Sequence, residues 1–196
     1  GWSDEQIMLA IREGIRPNGT VIGYPMPILM YRSISDYDLK ATVAYLRTIK
    51  PISKENGIST YPDGLPDAYG PPVSKVDPVD QSDKLAYGEY LAKLGHCIPC
   101  HTPADENFKS QYDSALGAGG TEFILNDGAI LISANLTPAG SLPNYSDEGL
   151  KNIIRTGIRP DGSKLVRFMD FDSYAKMTDE DLEAIVVYLR NLKPVE

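Results

Sequence analysis

The first 53 residues return, without a gap, as the last 53. Gly1 to Ser53 aligns on Asn144 to Glu196 at a constant offset of 143, with about 22 identities. Self-similarity on that scale means that one structural unit is built twice, so the chain reads as two related domains. The shared pieces include Ser3-Asp4-Glu5 with Ser146-Asp147-Glu148, Gly14-Ile15-Arg16-Pro17 with Gly157-Ile158-Arg159-Pro160, Met26 with Met169, and Tyr45-Leu46-Arg47 with Tyr188-Leu189-Arg190. The second copy is preceded by about 60 residues of its own and the first by nothing, so the first domain reads as incomplete at its N-terminus.

Each copy predicts two helices around a loop. Ser3-Asp4-Glu5-Gln6 is a capping box followed by Ile7, Ala10 and Ile11 at helical spacing, and Ser146 opens the matching helix through Leu150, Ile153 and Ile154. Gly14 and Gly157 stop these helices. Thr178-Asp179-Glu180-Asp181 caps the last helix, in which Leu182, Ile185, Val186, Leu189 and Leu192 form an apolar stripe before Pro194. Ser35-Asp36-Tyr37-Asp38 opens its counterpart, with Leu39, Val43, Leu46 and Ile49 as the expected buried face before Pro51.

Between the copies, Pro51 to Gln81 holds six prolines and predicts an extended linker. A helix then starts at Ser82 or Asp83 and carries Leu85, Gly88, Leu91, Ala92 and Gly95 on its apolar face. Phe123-Ile124-Leu125 and Ala129-Ile130-Leu131-Ile132, joined by Asn126-Asp127-Gly128, predict a short β-hairpin. The expected fold is all-α with that one hairpin. Its domains are residues 1–53, the C-terminal part of a first domain, a linker over 54–81, and a complete second domain over 82–196. A hydrophobic share of 42% is enough for packed cores, and a net charge of -8 argues against nucleic-acid binding. No stretch reaches the roughly 20 apolar residues of a transmembrane helix.

The chemistry is concentrated in Cys97-Ile98-Pro99-Cys100-His101. Cys-x-x-Cys-His places two thiols one helical turn apart, where they can add to the two vinyl groups of one haem, and the next residue then offers an imidazole to the iron. Three other readings compete. A thioredoxin-like redox pair follows a buried strand, whereas an amphipathic helix is predicted here. A zinc site would have to draw on His96, Cys97, Cys100 and His101, crowded into six residues. A structural disulfide across two intervening residues is strained. Covalent haem c fits the context best.

His96 and His101 are the only histidines, and His96 sits in the same short segment, so the second axial ligand is sought among the methionines. Met26 and Met169 occupy equivalent places in the repeat, while Met8, Met30 and Met177 face Lys151, Ser173 and Ile34. A ligand needed in both domains should stand at a matched position, which selects Met169 for the second domain and Met26 for the first, with Met177 as the alternative. His/Met ligation raises the potential relative to bis-histidine ligation. Met26 is followed by Pro27, Met169 by Asp170.

These residues resemble the class I cytochrome c family, in particular the multi-domain cytochromes c, with two or three haems, that serve alcohol and gluconate dehydrogenases as electron-accepting subunits. The resemblance rests on Gly88-Glu89-Tyr90-Leu91, Cys97 through Pro103, Asn135-Leu136-Thr137-Pro138, Arg155-Thr156-Gly157, Met169, Met177-Thr178-Asp179-Glu180-Asp181-Leu182 and Tyr188-Leu189-Arg190. It implies a cytochrome c fold in which the helix before the cysteines crosses the last helix with Gly88 near Tyr188 and Leu189. It also implies Pro103 as backbone acceptor for the His101 ring N–H. Asn135 and Thr137 would lie near the haem edge or form a structural turn. Arg159 and Arg167 would pair with the propionates or stay solvated.

The expected function is electron transfer by haem c held by Cys97, Cys100, His101 and Met169, with a second haem on the first domain if its front part is present. The expected partners are redox proteins: a dehydrogenase, another cytochrome or a terminal oxidase. The expected location is the bacterial periplasm, because c-type haem is attached after export. A haem enzyme such as a peroxidase is the rival reading, and it requires an open iron position.

Overall fold

Hydroxyl and carboxylate caps decide where the helices begin. In the computed structural model, which describes residues 1–54, 57, 59–61, 64–105 and 110–196, the Ser3 hydroxyl accepts from the Gln6 N–H while the Gln6 side chain accepts from the Ser3 N–H. This reciprocal pair starts α1 (Asp4–Glu13), which ends at Gly14 in the left-handed conformation. A single turn, α2 (Ile28–Tyr31), follows. The Ser35 hydroxyl accepts from the Asp38 N–H and opens α3 (Asp36–Thr48).

These helices belong to a first compact unit, Gly1–Val79. Its core is Ala10, Ile28, Met30, Ile34, Leu39 and Val43. The segment predicted as a linker contributes to this unit: Tyr69 donates to the Ile22 carbonyl at 2.9 Å, and the Val73 N–H donates to Glu13 Oε1 at 2.6 Å. Asp36 N–H donates to the Val76 carbonyl at 2.9 Å. Glu13 also pairs with Arg32, whose guanidinium donates to the Pro71 carbonyl. Of the predicted linker, Glu55, Asn56, Ile58, Pro62 and Asp63 lie outside the described residues.

The second unit, Asp80–Glu196, opens with α4 (Lys84–Leu94), capped by Asp83, and the single turn α5 (Cys97–Cys100). Two short strands, β1 (Glu122–Ile124) and β2 (Ile130–Ile132), pair antiparallel with Glu122 opposite Ile132 and Ile124 opposite Ile130. The hairpin closes with Leu125 N–H donating to the Ala129 carbonyl at 2.8 Å. After a 3₁₀ turn at Leu142–Asn144 come α6 (Asp147–Thr156), the single turn α7 (Phe171–Tyr174) and α8 (Asp179–Arg190). The molecule is thus rich in helix, with one small two-stranded sheet.

The sequence repeat is also a repeat of local structure. α6 and α7 lie 143 residues beyond α1 and α2, and α8 begins 143 beyond α3. Isolated bridges Ile15 to Val21 and Ile158 to Lys164 recur at the same offset. So does a clamp on the first helix of each copy: Arg47 bonds Asp4 and the Trp2 carbonyl, and Arg190 bonds Asp147 and the Tyr145 carbonyl.

The two long C-terminal helices differ in what covers them. In α8 the predicted stripe is fully inside, with Leu182, Ile185, Val186, Leu189 and Leu192 all 7% exposed or less. α4 lies on α8, and it does so at Gly88, where any Cβ would collide with the Ala184 carbonyl and stand 2.9 Å from the Tyr188 Cβ. On α3 only Leu39 and Val43 of the expected face are buried. Leu46 and Ile49, predicted inside, are 41% and 52% exposed. Within α4, Leu85 is exposed where the sequence predicts an apolar contact, and Tyr90 is buried instead.

Candidate functional site

The site is built around the restart of the chain after α4. Gly95 N–H donates to the Leu91 carbonyl at 2.7 Å, and His96 then adopts the left-handed conformation at φ 62°. That reversal ends one helix and lets Cys97 begin another turn, closed by His101 N–H donating to the Cys97 carbonyl at 2.9 Å. Ile98, wholly buried, anchors the turn. Cys97 and Cys100 are free thiols on this one turn, as the spacing predicts.

Burial pushes the Cys97 thiol up to about 12 and the Cys100 thiol up as well. Both are therefore protonated thiols at neutral pH. A Cys-x-x-Cys redox pair depends on the opposite shift, a thiolate favoured by its surroundings, so this environment does not suit thioredoxin-like exchange. Among the described residues no group of three or more His, Cys, Asp or Glu is arranged to hold a metal ion.

His101 is aimed by a backbone carbonyl. Its Nδ1 lies 2.7 Å from the Ala134 oxygen, and since a carbonyl can only accept, Nδ1 carries the proton and Nε2 keeps a free lone pair. Burial holds the imidazole below its ordinary pKa, with the Ala134 contact opposing, so the neutral form prevails. The acceptor is Ala134, not Pro103, whose carbonyl instead receives the Gln111 N–H at 2.9 Å. Pro103 lies two residues along the same stretch of chain, whereas Ala134 is delivered by a loop. Gly119 places it there: at φ 73° its N–H donates to the His101 carbonyl at 2.7 Å, and a Cβ at 119 would stand 2.5 Å from the Ala134 carbonyl carbon. Thr102, almost wholly buried, locks this loop by accepting from Gly117 N–H and from the Thr121 hydroxyl.

Met169 and Met177 flank α7, both half-buried. Phe168, beside Met169, packs on Phe123 of β1 with ring centroids 4.6 Å apart, so the hairpin supports the approach to Met169. Asp170 occupies the place of Pro27 in the first copy and takes the same backbone, φ -81° and ψ 67° against -82° and 63°. It adds a cap, accepting from the Ser173 N–H at 3.3 Å, and this hydrogen bond holds its carboxyl below the usual carboxylate range. Met26 is likewise half-buried in the first unit.

Tyr174 carries this segment to the cysteines. Its hydroxyl donates to the Gly95 carbonyl at 2.7 Å, and its ionisation is opposed first by burial and then by the nearby Cys97 and Cys100. The Tyr188 hydroxyl is buried with no hydrogen-bond partner among the described residues, and its ionisation too is opposed by burial, by Glu89 and by Cys97.

The remaining expected residues have partners within the protein. Asn135 Oδ1 accepts from the Thr137 N–H and hydroxyl at 2.8 and 2.7 Å, and Asn135 Nδ2 donates to the Val195 carbonyl at 2.7 Å. They form the structural turn, tying down the C-terminus. Arg167 pairs with Asp172 on an exposed surface, and Arg159 donates to the Ser163 hydroxyl at 3.1 Å. Ala134, Gly119 and Tyr174 escape the sequence reasoning. Only Tyr174 has a signal in the sequence, since Tyr31 stands at the matched place in the repeat.

The donor set fits haem c. Two neutral thiols share one turn, the imidazole has one nitrogen fixed and the other free, and a methionine-bearing segment is bonded to the same place.

No family model matches the chain. Among curated relatives, the cytochrome c subunit of gluconate 2-dehydrogenase from Pantoea cypripedii is 28% identical over 97% of this chain and 47% of its own length. The cytochrome c subunit of the quinone-type alcohol dehydrogenase from Gluconacetobacter polyoxogenes is 28% identical over 95% and 43%. A diheme cytochrome c-type protein from Cereibacter sphaeroides is 26% identical over 100% and 68%. This chain therefore has cytochrome c subunits of dehydrogenases as homologues, and it spans less than half the length of the first two.

Proposed function

We propose that a chain homologous to those cytochrome c subunits is itself an electron-transfer module, built as tandem cytochrome c domains. Haem c joined to Cys97 and Cys100 would supply the ferrous–ferric couple. The protein would supply the rest: His101, with Nδ1 engaged by Ala134, would hold the iron through Nε2, and Met169 would hold it through its thioether, while the Asn135–Thr137 turn bonds the Val195 carbonyl near the C-terminus. Met26 would play the part of Met169 in the first domain. The module would work with a dehydrogenase or another redox protein outside the cytoplasmic membrane, in the periplasm. Among the described residues no helix is long and apolar enough to cross a membrane.

The observation that carries this reading is the His101–Ala134 contact. It fixes the tautomer of a histidine that directly follows two free thiols on one turn, which is what a covalently held iron porphyrin requires of its axial imidazole. The test is expression of the chain with a c-type haem maturation system, followed by intact mass and absorbance spectra. The expected product carries covalent haem that Cys97→Ser with Cys100→Ser abolishes. Its ferric form shows a sulfur-to-iron charge-transfer band, which Met169→Ala removes and Met177→Ala leaves. Fast peroxide turnover with carbon monoxide binding would replace electron transfer by the haem-enzyme reading.

A further inference from the structure

Between Met169 and Met177 stands a tyrosine whose hydroxyl leaves its own segment. Tyr174 closes α7, its side chain half-buried, and donates to the Gly95 carbonyl at 2.7 Å. Gly95 caps α4, immediately before the left-handed His96 and two residues before Cys97. The hydrogen bond thus joins two stretches 79 residues apart in sequence, one carrying the thiols and the other carrying both candidate methionines.

The ends of this connection are held independently. On one side α7 is seated by Phe171, buried against Gly157, where the nearest ring carbon would be 2.8 Å from a Cβ. Asp170 caps the same turn. On the other side Gly95 is fixed by its own N–H to Leu91, and α5 by the buried Ile98. Two well-anchored turns joined by one side-chain bond move as a unit. Without the bond, each keeps its local anchors but loses its registration with the other. A methionine thioether is a weak neutral ligand, so how firmly its segment is held decides how readily water or another group displaces it. The repeat retains a tyrosine here, Tyr31, five residues after Met26 as Tyr174 is five after Met169.

We propose that Tyr174 is a positioning residue that latches the methionine segment to the thiol-bearing turn and so protects the sulfur-to-iron bond from exchange. This rests on the ligation by His101 and Met169 proposed above. The latch acts through its hydroxyl, so Tyr174→Phe removes it and keeps the ring in place.

The test uses the haem-loaded chain, with Tyr37→Phe, a change on the exposed surface of the first unit, as the control. In the ferric protein, Tyr174→Phe shifts the pH at which the sulfur-to-iron band bleaches downward by about one unit, a tenfold change in the exchange equilibrium. The reduction potential falls with it, and Tyr37→Phe alters neither. An unshifted bleaching midpoint and an unchanged potential in Tyr174→Phe overturn the proposal. Hydrogen exchange of the chain, followed on residues 95–97 and 170–177, is a second and independent measurement. Loss of the latch accelerates both segments together by about tenfold, and unchanged exchange overturns it. Absence of the band from the unsubstituted protein refutes methionine ligation instead, and the exchange measurement then decides the contact between Tyr174 and Gly95 by itself.

Discussion

The Nδ1 of His101 lies 2.7 Å from the carbonyl oxygen of Ala134, and the distance between them in sequence, 33 residues, is bridged by one glycine. Gly119 bonds the His101 carbonyl while its missing side chain leaves room for the Ala134 backbone. The His101 imidazole is thus oriented by the fit of two loops distant from it in sequence.

Gly119→Ala should undo this. An alanine at φ 73° costs about 1–2 kcal/mol in backbone conformation alone, and its Cβ must also push away the Ala134 carbonyl. The expected loss is about 2 kcal/mol or more in urea denaturation, with a reduced yield of covalently haem-loaded protein. Gly128→Ala, at φ 82° in the open hairpin turn with nothing near its Cβ, should cost only the conformational part. Equal losses for the two would mean that the approach to Ala134 is not what Gly119 provides.

The repeat supplies a matched pair of tyrosines in different surroundings. Tyr188 is 6% exposed under α4, and Tyr45, at the same place in α3, is 68% exposed. Tyr188→Ala should cost about 3–5 kcal/mol and Tyr45→Ala no more than about 0.5 kcal/mol. Tyr188→Phe should be neutral or stabilising by up to about 1 kcal/mol, because the hydroxyl it removes is buried without a partner among the described residues. Denaturant midpoints of the three variants check this, and a clear loss in Tyr188→Phe would mean the hydroxyl is satisfied.

A second matched pair predicts pH dependence. Lys151 bonds Asp179 at 2.7 Å, and hydrogen bonding to Asp179 and Glu148 raises its pKa to about 12. The same contact holds the Asp179 carboxyl below the usual range. The raised lysine stabilises the fold fully below its unfolded value near ~10.4, a benefit lost as pH rises toward about 12. The lowered carboxylate stabilises fully above its unfolded value near ~4, a benefit lost as pH falls further. Lys151→Met, which copies Met8 of the first unit, should therefore flatten the plot of denaturation midpoint against pH at both extremes. A plot that keeps its slope in the acid and alkaline limbs would assign the dependence to other groups.

Local features are legible in the sequence and long-range ones are not. Ser3, Ser35, Asp83, Ser146 and Thr178 cap helices where the sequence places them, because a cap involves only three or four residues. The hairpin is legible for the same reason. The face of α3 departs from its pattern at Leu46 and Ile49 because periodicity reports which residues suit burial, not whether anything arrives to bury them. Pro103 is the acceptor that the family resemblance implies; the acceptor in this chain, Ala134, depends on how the loop through Gly119 folds back. Asn135 and Thr137 form an Asx turn, one of the two readings the sequence offers for them, and that turn is local enough to be legible there.

Asp170 allows the assignment of Met169 to be probed without touching sulfur. In the first copy the residue after the matched methionine is Pro27, and Asp170 reproduces its backbone within about 4° in both angles, as φ and ψ of -81° and 67° against -82° and 63° show. A proline at 170 would meet a φ it already prefers, and the loss is confined to the Asp170 cap on Ser173, about 0.5–2 kcal/mol, offset in part by the stiffer unfolded chain. Asp170→Pro should therefore change stability by no more than about 1 kcal/mol and leave the ferric sulfur-to-iron band in place. Asp170→Gly loses the cap and gains chain freedom, so it should be the less stable of the two. The band is measured by absorbance and the stability by urea denaturation. If proline abolishes the band while stability holds, the two methionine segments are alike in backbone but not in ligation, and the equivalence of Met26 and Met169 fails.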